Sequence, residues 1–180
     1  IDPDKPLAQQ LAPQLQHILH RLDRMKKAGA DLQKAFASLR AFGAMFKATV
    51  GDVDFSLAGP AATGDLAIDL TDLFLAIGDA AKKRDTAIVL LIDEIQYVQK
   101  GDLSALIMAM HKVSQRQAPI LLFGAGLPQL AKLAGDAKSY AERLFDYPPI
   151  GPLSDEGARQ ALTGPAEREG VKYAADALDY

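Results

Sequence analysis

The sequence predicts an α/β domain: a parallel sheet flanked by helices, preceded by a helical and β-hairpin segment and followed by the start of a small helical unit. Three observations lead there. Residues 87–92 and 120–123 are near-continuous apolar runs, the pattern of strands buried on both faces. Between them lies a stretch of helical period, and the short connections on either side of it make the two strands parallel. A strongly amphipathic stretch starting at Asp65 precedes the first run and completes an alternation of helix and strand.

Taken in order, Leu11, Leu15, Ile18, Leu19 and Leu22 share one face of a first helix, begun near Pro6 and expected to kink or restart at Pro13. The segment "MKKAGA" supplies a stop, and Asp31 is placed to cap a second helix with Leu32, Ala35, Phe36, Leu39 and Phe42 inside. The period then changes. Phe46, Ala48 and Val50 alternate, as do Val53, Phe55 and Leu57, and Gly51-Asp52 between them suits a two-residue turn, which predicts a β-hairpin. Asp65 starts the next helix, with Leu66, Leu70, Leu73, Phe74, Ile77 and Ala81 inside; "KKR" at its end complements the helix dipole. Asp102 is placed to cap the crossover helix, and a further helix begins near Pro128. A short strand is expected around Ile150, and two last helices start at Ser154 and near Tyr173.

The composition narrows the function classes. Nearly half of the 180 residues are apolar, 49%, so a packed core is within reach. A net charge of −3 provides no global basic field to recruit nucleic acid. No apolar run approaches the roughly 18 residues that would cross a membrane, and the polar start "IDPDKPLAQQ" is not a secretory signal. The absence of cysteine excludes disulfides and thiolate metal sites, and a cytoplasmic location is expected. The chain opens on Ile1 and closes on "AADALDY" in mid-pattern, so both ends read as cut.

Chemistry gathers at "TAIVLLIDEIQ", where the first apolar run ends on Asp93 and Glu94. In a parallel α/β sheet ligands bind at the carboxyl ends of the strands. Apolar residues followed by Asp-Glu form the Walker B pattern, in which the Asp holds Mg²⁺, usually through water, and the Glu orients an attacking water. The plainer reading is a strand that surfaces in two acids, or acids that pair with Lys or Arg. The phosphate-gripping counterpart, G-x-x-x-x-G-K-[ST], is missing, since no Gly-Lys pair occurs anywhere in the chain. "GAGLPQ" imitates a dinucleotide fingerprint but has Gln129 in place of the third glycine; a tight strand-to-helix turn accounts for its glycines better. His17, His20 and Asp23 lie on successive turns of one helix, a spacing more often found on a solvated face than around a metal.

The ordered series "GPAATGDLAIDLTDLFLAIGDAA", "VLLIDEIQ", "LIMAMHKVSQRQAPILLFGAGLPQL", "KSYAERLFDYPPIGPLS" and "ALTGPAEREGV", over most of residues 59–175, resembles bacterial AAA-type P-loop ATP-binding proteins related to the STAND and origin-recognition ATPases. The resemblance implies an AAA-type P-loop NTPase sheet. Residues 1–152 would form an ATPase core lacking its first strand and phosphate loop, and residues 153–180 the start of a helical lid. It implies ATP and Mg²⁺ as ligands, with Asp93 serving the metal, Glu94 positioning water and Arg143 of "AERLF" neutralising γ-phosphate charge. The second strand ends in Phe-Gly-Ala-Gly, with no Asn, Ser or Thr in the sensor position. Gln96 in the neighbouring loop is the polar candidate there, and slow hydrolysis used as a conformational switch is implied. A sheet without its first strand would leave an edge open to self-association or a protein partner. DNA binding would need residues beyond Tyr180. The alternative is a noncatalytic α/β scaffold for protein or DNA assembly.

Overall fold

The computed structural model describes residues 1–25, 29–50 and 62–178. They divide into two compact units, Ile1–Asp146 and Tyr147–Tyr180.

The first unit is built on helices. Helix α1, Leu7–Met25, buries Leu11, Leu15, Leu19 and Leu22 along one stripe, while Ile18 on its flank is half-buried. Pro13 lies inside it and does not end it. The N-terminus of α1 is held from far away: the Asp102 carboxylate accepts the Leu7 N–H at 2.9 Å. An acid at a helix N-terminus satisfies an orphan donor and meets the positive end of the dipole. Asp102 was expected to cap its own helix, but α4, Lys100–Gln115, has Gln99 at its N-cap and Asp102 in its first turn. Helix α2, Ala30–Met45, likewise has Gly29 rather than Asp31 at its N-cap. Helix α3, Leu66–Lys82, follows the sequence closely: the Asp65 carboxylate accepts the Ala67 and Ile68 N–H groups at 2.8 and 3.2 Å. Helix α3 packs against α2 and α4, and α1 against α2 and α3.

One cation is central to this packing. Arg84, 6% exposed, donates from Nε to the Leu22 carbonyl at 2.9 Å and from Nη1 to the Ala80 carbonyl at 2.8 Å and to Asp31 Oδ2 at 2.7 Å. Its guanidinium therefore ties the end of α1, the start of α2 and the end of α3 together. The "KKR" reading holds for Lys82, which lies in the last turn of α3, but Arg84 is an interior clamp.

The sheet departs most from expectation. Strands β1, Ile88–Ile92, and β2, Ile120–Gly124, pair in parallel around the α4 crossover, with Ile88 opposite Ile120 and Ile92 opposite Gly124. They are the only strands among the described residues. Seven α-helices supply most of the ordered structure there, and a two-stranded sheet is not an AAA-type P-loop parallel sheet flanked by helices. That expectation is overturned. Ile88, Leu90, Ile92 and Ile120 point inward, but Val89, Leu91, Leu121 and Phe123 on the opposite face are exposed. The apolar runs announced burial on two faces, and the chain provides one. No strand forms around Ile150. Of the expected hairpin, Phe46 closes α2 as its C-cap and residues 47–50 form no strand. Gly51-Asp52 and the second arm lie outside the described residues.

Helix α5, Leu130–Ala137, and the single turn α6, Ala141–Leu144, complete the first unit. In the second unit Ser154 caps α7, Asp155–Arg168, by accepting the Gly157 N–H at 3.1 Å. The helix expected near Tyr173 is a short 3₁₀ turn, Ala175–Leu178, whose Leu178 carbonyl accepts a bond from Arg159 at 3.2 Å. Among the described residues no helix is long and apolar enough to cross a membrane.

Candidate functional site

The candidate site is the loop that leaves β1, together with the loop that leaves β2. Parallel pairing puts both strand ends on one edge of the sheet, and backbone bonds carry the register past the strands. The Ala125 N–H donates to the Ile92 carbonyl at 2.8 Å and the Ile95 N–H to the Ala125 carbonyl at 3.0 Å. Ile95 is buried and anchors a 3₁₀ turn, Ile95–Tyr97, so the acids ahead of it are held between two fixed points.

Asp93 and Glu94 are both exposed. Asp93 Oδ1 accepts the Glu94 N–H at 2.9 Å, which orients the carboxylate and leaves Oδ2 directed elsewhere. The Asp93 carbonyl accepts the Ile1 nitrogen at 3.1 Å. Glu94 has φ 55 and ψ 39, left-handed values that cost a non-glycine residue on the order of 1–2 kcal/mol. This backbone turns the Glu94 side chain out of the strand direction and toward Gln96, whose Nε2 donates a short hydrogen bond to Glu94 Oε2. At its other end Gln96 Oε1 accepts the Leu127 N–H at 3.3 Å. Gln96 thus joins the Glu94 carboxylate to the loop after β2.

The glycines of that loop earn their place by space. Gly124 and Gly126 are not among the positive-φ residues. A Cβ on Gly126 would stand 2.5 Å from Gln96 Oε1, and one on Gly124 would stand 3.0 Å from Ile95 Cδ1. "GAG" therefore reads as room for the Ile95-Gln96 turn, a sharper account than a tight turn into a helix.

Hydrogen bonds join Glu94 to Asp93 and to Gln96, and Arg143 makes no such bond to the three. It is exposed on α6, and no hydrogen bond or ion pair links it to Asp93, Glu94 or Gln96. Among the described residues no Lys or Arg forms an ion pair with either acid, and no group of three His, Asp or Glu side chains is arranged to hold a metal. His20 instead packs its ring against Phe36, with centroids 5.2 Å apart.

The donor set can be weighed against Mg²⁺ and ATP. Mg²⁺ binds through one or two carboxylates with water and phosphate completing an octahedron, and an oriented, unpaired Asp93 carboxylate fits that role. A second carboxylate on the next residue, braced by an amide, fits the orientation of a water. A phosphate grip of the G-x-x-x-x-G-K-[ST] kind is not among these residues, since the sequence has no Gly-Lys pair. Sequence reasoning missed the Glu94 backbone strain and the Gln96–Leu127 bridge. The spacing of Gln96 two residues after Glu94 was the one signal for the bridge. Comparison with family models, with curated proteins and with solved structures finds no match.

Proposed function

We propose that Asp93, Glu94 and Gln96 form the metal and water half of a site for Mg²⁺-dependent ATP hydrolysis that serves as a conformational switch. The observation that carries the proposal is the pair of exposed acids, without an ion-pair partner among the described residues, at the carboxyl end of a parallel strand and braced by Gln96. In this reading Asp93 holds Mg²⁺ through its outward oxygen and Glu94 orients the water that attacks the γ-phosphate. Gln96 is a positioning residue that keeps the Glu94 carboxylate over the loop after β2. The phosphate grip is supplied from outside these 180 residues, because they contain no Gly-Lys pair. In this reading Arg143 neutralises charge on the γ-phosphate.

Turnover tests the proposal. These 180 residues alone are expected to bind ATP weakly and to release no phosphate. Joined to a G-x-x-x-x-G-K-[ST] loop, the protein is expected to hydrolyse ATP, and Glu94→Gln to abolish turnover while ATP stays bound. Unchanged turnover in that variant would remove Glu94 from its role. A noncatalytic assembly role is favoured by a separate observation, the bare apolar face of the sheet.

A further inference from the structure

The peptide that joins Asp93 to Glu94 is gripped on both sides. Its N–H donates to Asp93 Oδ1 at 2.9 Å, and its carbonyl accepts from the Ile1 nitrogen at 3.1 Å. The same peptide plane sets φ of Glu94, which stands at the left-handed value of 55. Turning the plane over would carry Glu94 into the extended region, where an L-residue is unstrained, and would swing the N–H off the Asp93 carboxylate. Ile1 opposes that turn, because the carbonyl would then face away from its donor.

The donor is held in place from α1. Gln10, one turn into the helix, accepts the Asp2 N–H through Oε1 at 2.8 Å. Through Nε2 it donates to the carbonyls of Asp2 at 2.9 Å and Lys5 at 2.8 Å. The Asp2 carboxylate tightens the same turn, accepting the Asp4 N–H at 3.0 Å and pairing with Lys5 Nζ at 3.0 Å. Helix α1 is in turn fixed to the helix that follows the acids, since Asp102 of α4 accepts the Leu7 N–H at 2.9 Å. The contacts close a ring, from the acid loop through α4 and α1 to the N-terminal residues and back to Asp93. A donor ordered in this way meets its acceptor with little further loss of conformational freedom, so even an exposed bond at Ile1 is favoured. A peptide N–H at Ile1 donates as a terminal ammonium does, so the bond needs no free amino group.

We infer that residues 1–6 are a strap, with Gln10 as its positioning residue, that holds the Asp93–Glu94 peptide in its strained orientation and so keeps the Asp93 carboxylate aimed. Releasing the strap turns the peptide over. Its link to metal rests on the reading of Asp93 as a Mg²⁺ ligand, whereas the strap itself does not.

NMR of the ¹³C,¹⁵N-labelled 180-residue protein tests it in two arms. Without metal, the Glu94 Cα and Cβ shifts report whether its backbone is left-handed or extended. The parent is expected to show left-handed values and Gln10→Leu extended ones, with an unchanged far-UV spectrum. Removing Ile1 alone leaves α1 untouched and is expected to do the same, which keeps the test open should Gln10→Leu fail to fold. With Mn²⁺ added, either variant is expected to need about three- to tenfold more ion for the same broadening of residues 92–96, a loss below that usual for a residue bonded directly to a metal ligand. Left-handed Glu94 shifts in both variants overturn the strap. Extended shifts with unchanged Mn²⁺ affinity overturn Gln10 as a positioning residue for the metal. Extended shifts in the variants of a parent that binds no Mn²⁺ support the strap and overturn the metal reading instead.

Discussion

Replacing Arg84 by methionine should be among the most destabilising single changes in the first unit. Methionine keeps the length of the side chain and removes the charge, so the loss is electrostatic and hydrogen-bonding rather than a large cavity. Three bonds go at once: 2.9 Å to the Leu22 carbonyl, 2.8 Å to the Ala80 carbonyl and 2.7 Å to Asp31. The Asp31 side chain, 11% exposed, keeps as its cation only the more distant Lys83 at 3.4 Å. Stranding one member of a buried pair costs about 3–5 kcal/mol. With a urea dependence of about 2 kcal/mol per molar, typical of small domains, the unfolding midpoint should fall by about 2 M. Urea titrations followed by far-UV circular dichroism measure it. The stranded acid also sets the sign of a double variant. Arg84→Met with Asp31→Leu removes the stranded acid, and should be at least about 1.5 kcal/mol more stable than the sum of the single losses implies. A midpoint shift under about 0.5 M for Arg84→Met, or strict additivity in the cycle, would refute the clamp.

Three further outcomes are expected. Burial pushes the Asp31 carboxyl up, but hydrogen bonds from Arg84 and from its own backbone, with the Lys83 charge, outweigh this and hold it below its ordinary 3.8. Its stabilisation is therefore complete above the unfolded carboxylate's titration and lost as pH falls through the lower folded value, so Asp31→Asn should flatten the acid limb below about pH 4 in a midpoint-against-pH series; an identical limb would contradict this. Glu94→Gly should raise thermal stability by about 1 kcal/mol through relief of the left-handed backbone, with Gln117→Gly at φ 51 as a comparison outside the site, and a loss of stability in Glu94→Gly would show that the conformation carries no strain. Gly78→Val should cost about 1–3 kcal/mol by overpacking, since even a Cβ there would stand 2.9 Å from the Ala118 Cβ; an unchanged melting temperature would deny the close approach of α3 to the chain entering β2.

The parts of this fold set by local pattern were legible in the sequence. The stripe Leu11, Leu15, Leu19 and Leu22 found α1, the Asp65 and Ser154 side chains cap the helices they precede, and the two apolar runs found β1 and β2 as parallel partners. Where the reading failed, the deciding contact was distant in sequence. Asp31 and Asp102 looked like caps of the nearest helix, yet one pairs with Arg84 and the other serves the N-terminus of α1 across 95 positions. Arg84 looked like a surface cation for the same reason. The alternation at Phe46, Ala48 and Val50 suits a strand, but a strand needs a neighbour, and none pairs with it among the described residues. The sheet was over-read because an apolar run states how many faces suit burial, not how many elements arrive to cover them. At the site, the acids were legible as a pair at a strand end. The left-handed Glu94 and the Gln96 bridge to Leu127 were not, because both depend on where the loop after β2 passes.

The metal half of the site can be examined without nucleotide. Mn²⁺, titrated in place of Mg²⁺ into the ¹⁵N-labelled 180-residue protein, broadens amide signals near the bound ion. The expectation is that residues 92–96 and 124–127 broaden first, and that Asp93→Asn removes this selective loss while the rest of the spectrum is unchanged. Uniform broadening over the exposed carboxylates, or the same selective pattern in Asp93→Asn, would contradict it.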